Sequence, residues 1–472
     1  MRLWGGRFGD ATDARAADFT RSIDVDSALA LDDLDGSIAH VHGLGRAGLL
    51  SDSDARALVD GLTALRADVE AGAVTWDPAL EDVHLNLEAA LRERIGPLAD
   101  RLHTGRSRND QIATDLRLWS RQAIDRLDAE IVNLERALVD LADREIDTVM
   151  PGTTHTQPAQ PVLLAHHLLA VVEMLERDRG RFGDTRRRLN TSPLGSGAIA
   201  GVGFPLDREA TARELGFDGV TANSIDAVGD RDFAVELLAA TALCQAHLSR
   251  LSEEIVWWSN PRFGFVRVAD AFSTGSSMLP NKRNPDPAEL VRGHAARATA
   301  ALTAVLGILK GLPLGYQRDL QDSVPPLLGA VGQLEGSLAV MAGLIGSLQV
   351  DRARMREAAE DGFATATSLA DALVRRGLAF RVAHGVIGRL VAAAEAAGTG
   401  LDAITDVAVR EALDEADDDL ARELAGDGSL SAELRAAALI EATLAGADVI
   451  GGTAPARVRT ALAAAKERLG SW

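Results

Sequence analysis

Three polar stretches of the chain concentrate residue types that could do chemistry. They read HTGRSRNDQ at 103–111, PGTTHTQPAQP at 151–161 and FSTGSSMLPNKRNPDPAE at 272–289, and each comes just before a long segment with apolar periodicity. Hydroxyl, amide and guanidinium groups, a histidine and one of the few lysines lie within them. Helix starts present unpaired N–H groups and the positive end of the helix dipole. Three such loops brought together would form a binding site for an anion.

Each stretch also has a structural interpretation, which the residues alone leave open. The run Asp286-Pro287-Ala288-Glu289 fits an ordinary helix start, with Asp286 as N-cap and Glu289 as half of a capping box. His155 could be a turn histidine, and Arg106 and Arg108 could be solvated surface charges. The joint occurrence of three unusual loops at helix starts favours a functional site.

The elements that must position these loops are long helices. Apolar residues recur every three or four positions in two windows, which is the seam pattern of helices packed nearly parallel. The breaker Asn260-Pro261 predicts the end of the second window. Further helical windows are 160–182, 287–311, 326–350 and 365–397. The seam residues are Ile124, Leu127, Ile131, Leu134, Leu138 and Leu141 in the first window, and Phe233, Leu237, Thr241, Cys244, Leu248, Leu251, Ile255 and Trp258 in the second.

This pattern predicts an all-α protein with a central bundle of long helices. Aromatic residues make up only 4% of the chain, and alternating β-branched runs are nearly absent. Breaks in composition suggest three domains: an N-terminal helical domain at 1–105, a central long-helix bundle at 106–355 and a small helical C-terminal domain at 356–472. Helices this long and apolar also favour neighbouring subunits as packing partners.

Composition excludes several classes of protein. The formal net charge of −20 over 472 residues argues against nucleic acid or an anionic membrane as a partner. The sequence has no run of about eighteen uncharged apolar residues, and its first residues have no apolar signal region, so we expect a cytoplasmic protein. A single cysteine, Cys244, rules out an internal disulfide or a cysteine-based metal cluster, and we expect it to pack in the core.

The three stretches resemble the characteristic regions of the fumarase/aspartase superfamily and, within it, of the argininosuccinate lyase branch. GSSMLPNKRNP is similar to the superfamily signature loop, while TGRSRNDQ and TTHTQPAQP are similar to the forms found in that branch. The likeness runs from near Leu3 to about residue 390. Other stretches that carry it are LWGGRF at 3–8, DGSIAH at 35–40, EDVH at 81–84, SPLGSGAIAG at 192–201, PLDREATARELGF at 205–217 and NSIDAVGDRDF at 223–233.

The resemblance implies a fold, an assembly and a reaction. The fold would be an all-α homotetramer with a helical core, in which each active site takes its three loops from three subunits. The reaction would be the reversible β-elimination of argininosuccinate to arginine and fumarate, without a metal or an organic cofactor.

The resemblance also implies roles for particular residues. Ser276 would be the base at Cβ, with Lys282 as the cation for the developing charge and Asn284 as a neutral donor. His155 would be a proton donor or relay, oriented by Glu289. The substrate carboxylates would be held by Ser107, Arg108, Asn109, Thr154, Arg231 and Ser277, and the arginine moiety by Ser22, Asp26, Tyr316 and Gln321.

One stretch departs from the branch. Relatives often read Y-N-(K/R)-D-L-Q-E-D-K where this chain reads YQRDLQDSVPP at 316–326, so that Val324 stands where a substrate-contacting lysine often lies. This departure keeps open a superfamily lyase for a different amine–fumarate adduct. A second alternative, of a different class, is a non-catalytic structural homologue. Retention of Ser276, Lys282, His155 and Glu289 argues against the second.

Overall fold

Five helices of more than twenty residues dominate the computed structural model, which describes residues 12–470. The stretch at 3–8 that carries part of the resemblance lies outside these residues. The long helices are α6 (Arg108–Arg144), α7 (Leu164–Leu189), α10 (Asp232–Ser259), α11 (Asp286–Leu309) and α12 (Val324–Gly346). At about 1.5 Å per residue, the 37 residues of α6 extend for about 55 Å.

The two predicted seams are confirmed. All six apolar positions of the first window are buried on α6, and all eight positions of the second, including Cys244 and Trp258, are buried on α10. Helix α10 ends at Ser259, directly before the predicted breaker. The all-α fold class is therefore correct.

Shorter helices make up most of the rest. The predicted window 365–397 is wrong as a single helix, because Gly377 at φ +100° separates two helices there. These shorter helices are α1 (Ala14–Thr20), α2 (Ile23–Asp26), α3 (Ala30–Arg46), α4 (Asp52–Glu70), α5 (Val83–Ile95), α8 (Arg208–Glu214), α9 (Ser224–Gly229), α13 (Arg352–Glu360), α14 (Ala366–Arg375), α15 (Phe380–Ala397), α16 (Asp406–Asp414), α17 (Asp419–Ala425), α18 (Leu430–Ala437), α19 (Ile440–Gly446) and α20 (Pro455–Gly470).

Strands are short and occur only in pairs within the described residues. Six strands have two residues each: β3 (Thr191–Ser192) pairs with β4 (Gly219–Val220), β5 (Val266–Arg267) with β8 (Gln349–Val350), and β6 (Thr274–Gly275) with β7 (Arg283–Asn284). The longest pair is the antiparallel hairpin of β1 (Val149–Thr154) and β2 (Gln157–Leu163). Its prolines Pro151, Pro158 and Pro161 are tolerated because both strands of a two-stranded hairpin are edges.

The chain forms two compact units. The first consists of residues Met1–Ala129, Asp178–Gln245 and His294–Gly336, and the second of Glu130–Arg177, Ala246–Gly293 and Ser337–Trp472. The first contains an apolar core built from α2 to α5, and the second contains one built from α14 to α18. Each long helix contributes residues to both units. The division into three domains, at 1–105, 106–355 and 356–472, stays a prediction.

Within residues 12–470, one segment, Arg318–Gly346, is long and apolar enough to cross a membrane by length and composition. It contains α12, on which Leu327, Val331, Leu334 and Leu338 are buried. Core helices of soluble proteins can have the same length and composition, so these properties alone do not assign the segment to a membrane.

Candidate functional site

A cavity of about 880 Å³ in the first unit gathers many of the predicted site residues. Its walls come from the start of α2, the turn before α5, the start of α6, the loop at 197–204 and the segment around Tyr316. The predicted residues that line it are Ser22, Asp26, Ser107, Arg108, Asn109, Arg231, Tyr316 and Gln321.

The first polar stretch is held by a carboxylate beneath it. Asp110 is fully buried, and its Oδ1 accepts the N–H of Ser107 at 2.9 Å. Its Oδ2 accepts the N–H groups of Gly195 and Gly197 at 3.0 and 2.8 Å. Asn109 adds a bond from Nδ2 to the carbonyl of Ala198 at 3.0 Å. The start of α6 and the glycine-rich loop are thereby fixed to each other.

The glycine-rich loop at 195–201 is shaped by glycine itself. Gly197 has φ +61°, and a Cβ added there would lie 2.6 Å from the carbonyl oxygen of Gly201. No side chain other than hydrogen fits that position without moving the backbone. Gly197, Ala198 and Gly201 of this loop line the cavity.

Arg108 lies at the start of α6, half-buried rather than solvated. Its Nη1 donates to Glu88 Oε1 at 3.1 Å, and its Nε lies 3.5 Å from Asp82 Oδ2. His103 Nδ1 contacts the same Glu88 oxygen at 3.1 Å. Burial raises the pKa of Glu88, but the bond to His103 and the charge of Arg108 outweigh it and leave the pKa below its usual value. The carboxylate thus holds Arg108 in place at the cavity wall.

The residues predicted to hold the arginine moiety form one polar wall. Ser22 donates its hydroxyl to Asp26 Oδ2 at 2.6 Å, and Asp26 Oδ1 accepts the N–H of Val83 at 3.1 Å. Burial raises the pKa of Asp26. Gln321 donates from Nε2 to the carbonyl of Thr20 at 3.2 Å. This wall offers an oriented carboxylate, a hydroxyl and an amide to a ligand.

Arg231 is the most deeply buried cation of the cavity. Its side chain is 1% exposed, and its Nη1 donates to the carbonyl of Asp230 at 2.7 Å. Burial lowers its pKa to about 10. Burial also raises the pKa of the half-buried Tyr316, a rise that the charge of Arg231 opposes. A dicarboxylate in the cavity would compensate this buried charge.

The charge balance of the cavity differs from that of the whole chain. Five guanidinium groups and four carboxylates line it, although the chain has a net charge of −20. A local excess of cations is what binding of a small anion needs. The guanidinium groups belong to Arg21, Arg106, Arg108, Arg231 and Arg318, and the carboxylates to Asp26, Glu81, Asp82 and Asp322.

The second polar stretch is a hairpin rather than the loop that the sequence predicts. Thr154 ends β1, and His155 and Thr156 form the turn with φ values of +54° and +61°. Non-glycine residues with positive φ are uncommon and concentrate at functional sites. The turn presents an exposed His155 at the tip of the hairpin, in the second unit.

The third polar stretch is a seven-residue loop, 276–282, between β6 and β7 in the second unit. Ser276 begins it, and its Oγ accepts the N–H of Leu279 at 3.0 Å and of Met278 at 3.3 Å. At the base of the loop, Asn284 Nδ2 lies 3.4 Å from Thr274 Oγ1. The loop itself is largely exposed, including Ser277.

The remaining predicted catalytic side chains are exposed. Lys282 and Glu289 make no ion pair or side-chain hydrogen bond with any residue in the described range 12–470, and the ring of His155 makes none either. The predicted contact between Glu289 and His155 thus stays a prediction. The eight predicted residues that line the cavity all belong to the first unit. The second unit contains the other seven predicted residues: Thr154, His155, Ser276, Ser277, Lys282, Asn284 and Glu289.

Two features of the cavity were missed by sequence reasoning. Arg106 is 7% exposed and donates from Nη1 to Ser37 Oγ at 2.8 Å, while its Nε and Nη2 have no partner among the described residues. His84, which also lines the cavity, contacts Asp33 through Nδ1. The stretch TGRSRNDQ could have indicated Arg106, but nothing in the spacing links His84 to Asp33.

Asp33, His84 and Asp115 are the group in residues 12–470 with the spacing of a metal site, since their ligand atoms lie within 4.8 Å of one another. All three are buried. Asp33 Oδ2 already accepts from Gln111 Nε2 at 2.8 Å as well as contacting His84. The donor set resembles a hydrogen-bonded charge network more than an open coordination site.

Family profiles match most of the chain. A profile described as "Lyase" matches residues 6–300, and one described as "Argininosuccinate lyase C-terminal" matches residues 363–431. The chain is 50% identical to argininosuccinate lyase of Halorhodospira halophila, over 99% of this chain and 98% of that one. It is 47% identical to argininosuccinate lyase of Pseudomonas aeruginosa, over 99% of this chain and 97% of that one.

Solved structures show the same fold. EDDS lyase in complex with formate is 30% identical and superposes with a TM-score of 0.85, covering 97% of this chain and 89% of that chain. The 3-carboxy-cis,cis-muconate lactonizing enzyme from Pseudomonas putida, at 21% identity and a TM-score of 0.70 over 96% of this chain and 99% of that chain, shares the fold alone.

Proposed function

The chain belongs to the argininosuccinate lyase family, and from this premise we propose that it cleaves argininosuccinate reversibly into arginine and fumarate. It is a carbon–nitrogen lyase by family. The observation that supports the substrate most strongly is the cavity, where residues expected at the carboxylate end and residues expected at the arginine end line one space of about 880 Å³.

The reaction places particular demands on that space. A base removes a proton from Cβ, the bond between Cα and the guanidino nitrogen breaks, and the Cα–Cβ double bond of fumarate forms. The departing nitrogen receives a proton. Negative charge grows on the carboxylate next to Cβ, so fixed cations there stabilise the transition state. Arg108 and Arg231 are held by Glu88 and by the carbonyl of Asp230, and need little reorganisation.

We assign the base at Cβ to Ser276. A serine is a weak base in water, so the 276–282 loop must close over the substrate and exclude water before Ser276 acts. Lys282, at the far end of the same loop, would then bring its ammonium to the developing charge. Lys282 is exposed and Ser276 is partly exposed, which fits a loop that completes the site only on binding.

His155 would serve the departing nitrogen as a proton donor or relay. The strained two-residue turn holds its ring at the tip of the hairpin. Glu289, in the first turn of α11, would orient that ring. Neither side chain has a hydrogen-bond partner among residues 12–470, so both are free to pair across a subunit boundary.

A homotetramer would supply such boundaries. Helix α12 presents small residues on an exposed face at Gly329, Gly332, Gly336 and Ala339, and a Cβ added at any of the three glycines meets nothing within 4 Å. Their spacing of three and four residues is that of a helix–helix seam. On α11, Leu290 is 64% exposed. Faces this apolar on long helices favour contact with neighbouring copies of the chain.

As a small-molecule enzyme, the tetramer is expected in the cytoplasm.

One observation favours a second candidate, a lyase for a different amine–fumarate adduct. Val324 is 5% exposed and lines the arginine end of the cavity without offering a charge. EDDS lyase, a structural neighbour, is a lyase named for another compound. The arginine end is where a change of amine would be accommodated.

Fumarate release separates the two candidates. Purified protein is supplied in turn with argininosuccinate, ethylenediamine disuccinate, adenylosuccinate, aspartate and malate, and the ultraviolet absorbance of fumarate is followed. The proposal expects the highest kcat/KM with argininosuccinate and a loss of roughly 10²–10⁴ in kcat for Ser276→Ala. Higher kcat/KM with another adduct contradicts the substrate, and an undiminished Ser276→Ala variant contradicts the base.

A further inference from the structure

The arginine end of the cavity must bind an amino-acid head group, which carries a carboxylate as well as an ammonium. Among the residues proposed for this end, Ser22, Tyr316 and Gln321 are neutral and Asp26 is acidic. Val324 at the same end is apolar. These residues alone leave the carboxylate without a cation, and an unpaired buried carboxylate is costly.

Arg318 lies at this end and carries the missing charge. It begins the 3-10 turn Arg318–Ser323, two residues after Tyr316 and three before Gln321, and it lines the cavity. Its Nη2 donates to the carbonyl of Thr20 at 2.5 Å, the same oxygen that Gln321 Nε2 contacts at 3.2 Å. The guanidinium and the Gln321 amide are therefore neighbours.

A second contact ties Arg318 to the Ser22 side of the wall. Nη2 also donates to Glu81 Oε1 at 2.8 Å, and the backbone carbonyl of Glu81 accepts the N–H of Ser22 at 2.9 Å. Both contacts use one nitrogen. The Nε and Nη1 donors of Arg318 have no partner in the described part of the chain, and its side chain is 52% exposed. Nη2 is thus fixed, while Nε and Nη1 each remain available as a single donor.

A second cation beside Ser22, Arg21, is already neutralised. Arg21 donates from Nη1 to Asp18 at 2.5 Å and from Nε to Asp24 at 3.0 Å, so two carboxylates engage it. Arg318 pairs with one carboxylate and one carbonyl. Of the two, Arg318 keeps two free N–H donors, each able to make a single charge-assisted hydrogen bond to a carboxylate.

We propose that Arg318 determines specificity for arginine by binding the α-carboxylate of the substrate's arginine moiety through its free donors. This inference rests on the proposed function, since it takes the arginine end as assigned there. Arg318 would supply the cation at the arginine end. It precedes Gln321 in the sequence, whereas Val324 follows it.

The test compares arginine with agmatine, which is arginine without the α-carboxylate. Binding of each to the full-length protein is measured by calorimetry, and each is also tested as an inhibitor of fumarate release. Loss of a charge-assisted hydrogen bond predicts that Arg318→Gln weakens arginine binding by roughly tenfold or more, with agmatine binding changed less than about twofold. Arg318→Lys, which keeps the charge but loses the fork, should recover part of the difference.

Two further variants keep the outcome interpretable. Arg213→Gln removes an exposed arginine of α8 outside the cavity and should leave both ligands unaffected. Arg318→Gln also leaves Glu81 without its ion-pair partner, and the unpaired carboxylate could itself repel arginine. The double variant Arg318→Gln, Glu81→Gln removes that charge and should still lose the preference for arginine over agmatine. Circular dichroism confirms that each variant is folded.

The outcomes distinguish this inference from the proposed function. Turnover of argininosuccinate with an unchanged arginine-over-agmatine preference in Arg318→Gln overturns the role of Arg318 and leaves the reaction intact. A preference that depends on Arg318 in a protein that does not cleave argininosuccinate supports the inference and overturns the reaction. Equal binding of arginine and agmatine by the unaltered protein overturns the inference directly.

Discussion

Substitution of Asp110 by alanine tests how the first polar stretch is held. The buried carboxylate accepts three backbone N–H groups, from Ser107, Gly195 and Gly197. Its truncation leaves the two buried N–H groups of Gly195 and Gly197 and the part-buried N–H of Ser107 unpaired, at about 1–3 kcal/mol each. Burial also raises the pKa of Asp110, because the ionised carboxylate is costly to bury. Removing the carboxylate removes this cost, which offsets part of the stability lost with the three hydrogen bonds. We expect a net local destabilisation of about 3 kcal/mol.

Amide hydrogen exchange measures this destabilisation at the site itself. A loss of about 3 kcal/mol in local opening speeds exchange by roughly a hundredfold. The effect should concentrate in peptides covering 193–201 and 105–110, and kcat/KM should fall because Ser107, Arg108 and Asn109 lose their fixed positions. Asp110→Asn, which keeps one acceptor oxygen, should give an intermediate result.

Asp207→Ala is the matched control. Asp207 caps α8 through one bond, to the N–H of Ala210 at 2.9 Å, and is exposed. Its removal should cost about 1 kcal/mol and leave exchange at 193–201 unchanged. If exchange at Gly195 and Gly197 is unchanged in Asp110→Ala, Asp110 does not hold the loop in place. The same follows if the loss of stability is no larger than that of Asp207→Ala.

Three other changes follow from the structure. Lys282→Met should lower kcat by about 10²–10³ with a smaller change in KM, and a variant that only binds more weakly would contradict the role in charge stabilisation. Burial raises the pKa of Asp32 to about 8, so the folded state keeps a proton that the unfolded chain releases, and stability falls as the pH rises towards 8. Asp32→Asn should therefore change the free energy of unfolding more favourably at pH 8 than at pH 5, by about 1–3 kcal/mol as measured by urea unfolding. An equal change at the two pH values would count against the raised pKa of Asp32. Gly332→Leu should leave helicity intact but shift light scattering from tetramer to smaller species, and an unchanged tetramer would rule out the α12 face as an interface.

The long helices could be predicted from the sequence because their burial is periodic. Every predicted seam position on α6 and α10 is buried, since an apolar stripe at heptad spacing has few other ways to leave water. The hairpin at 149–163 was not predicted, because three prolines interrupt the stretch and hide a strand pair whose edges tolerate proline. The break at Gly377 was missed because one glycine inside a helical pattern is often tolerated.

The site could be predicted in part for a related reason. Residues such as Ser107, Arg108 and Asn109 stand together in one stretch, so the sequence indicates them directly. Arg106 stands in the same stretch, but its burial and its bond to Ser37 are set by tertiary packing. His84 was not predicted because its partner Asp33 lies far along the chain and no local pattern links the two.

A mixing experiment with two inactive variants, Ser276→Ala and Arg108→Gln, tests whether the active site is shared between subunits. If Ser276 and Arg108 of one site come from different subunits, reassembly of the two variants at equal amounts should restore fumarate release from argininosuccinate to about a quarter of the unaltered level. Mixed tetramers, verified by native mass spectrometry, that stay as inactive as either parent would contradict this sharing.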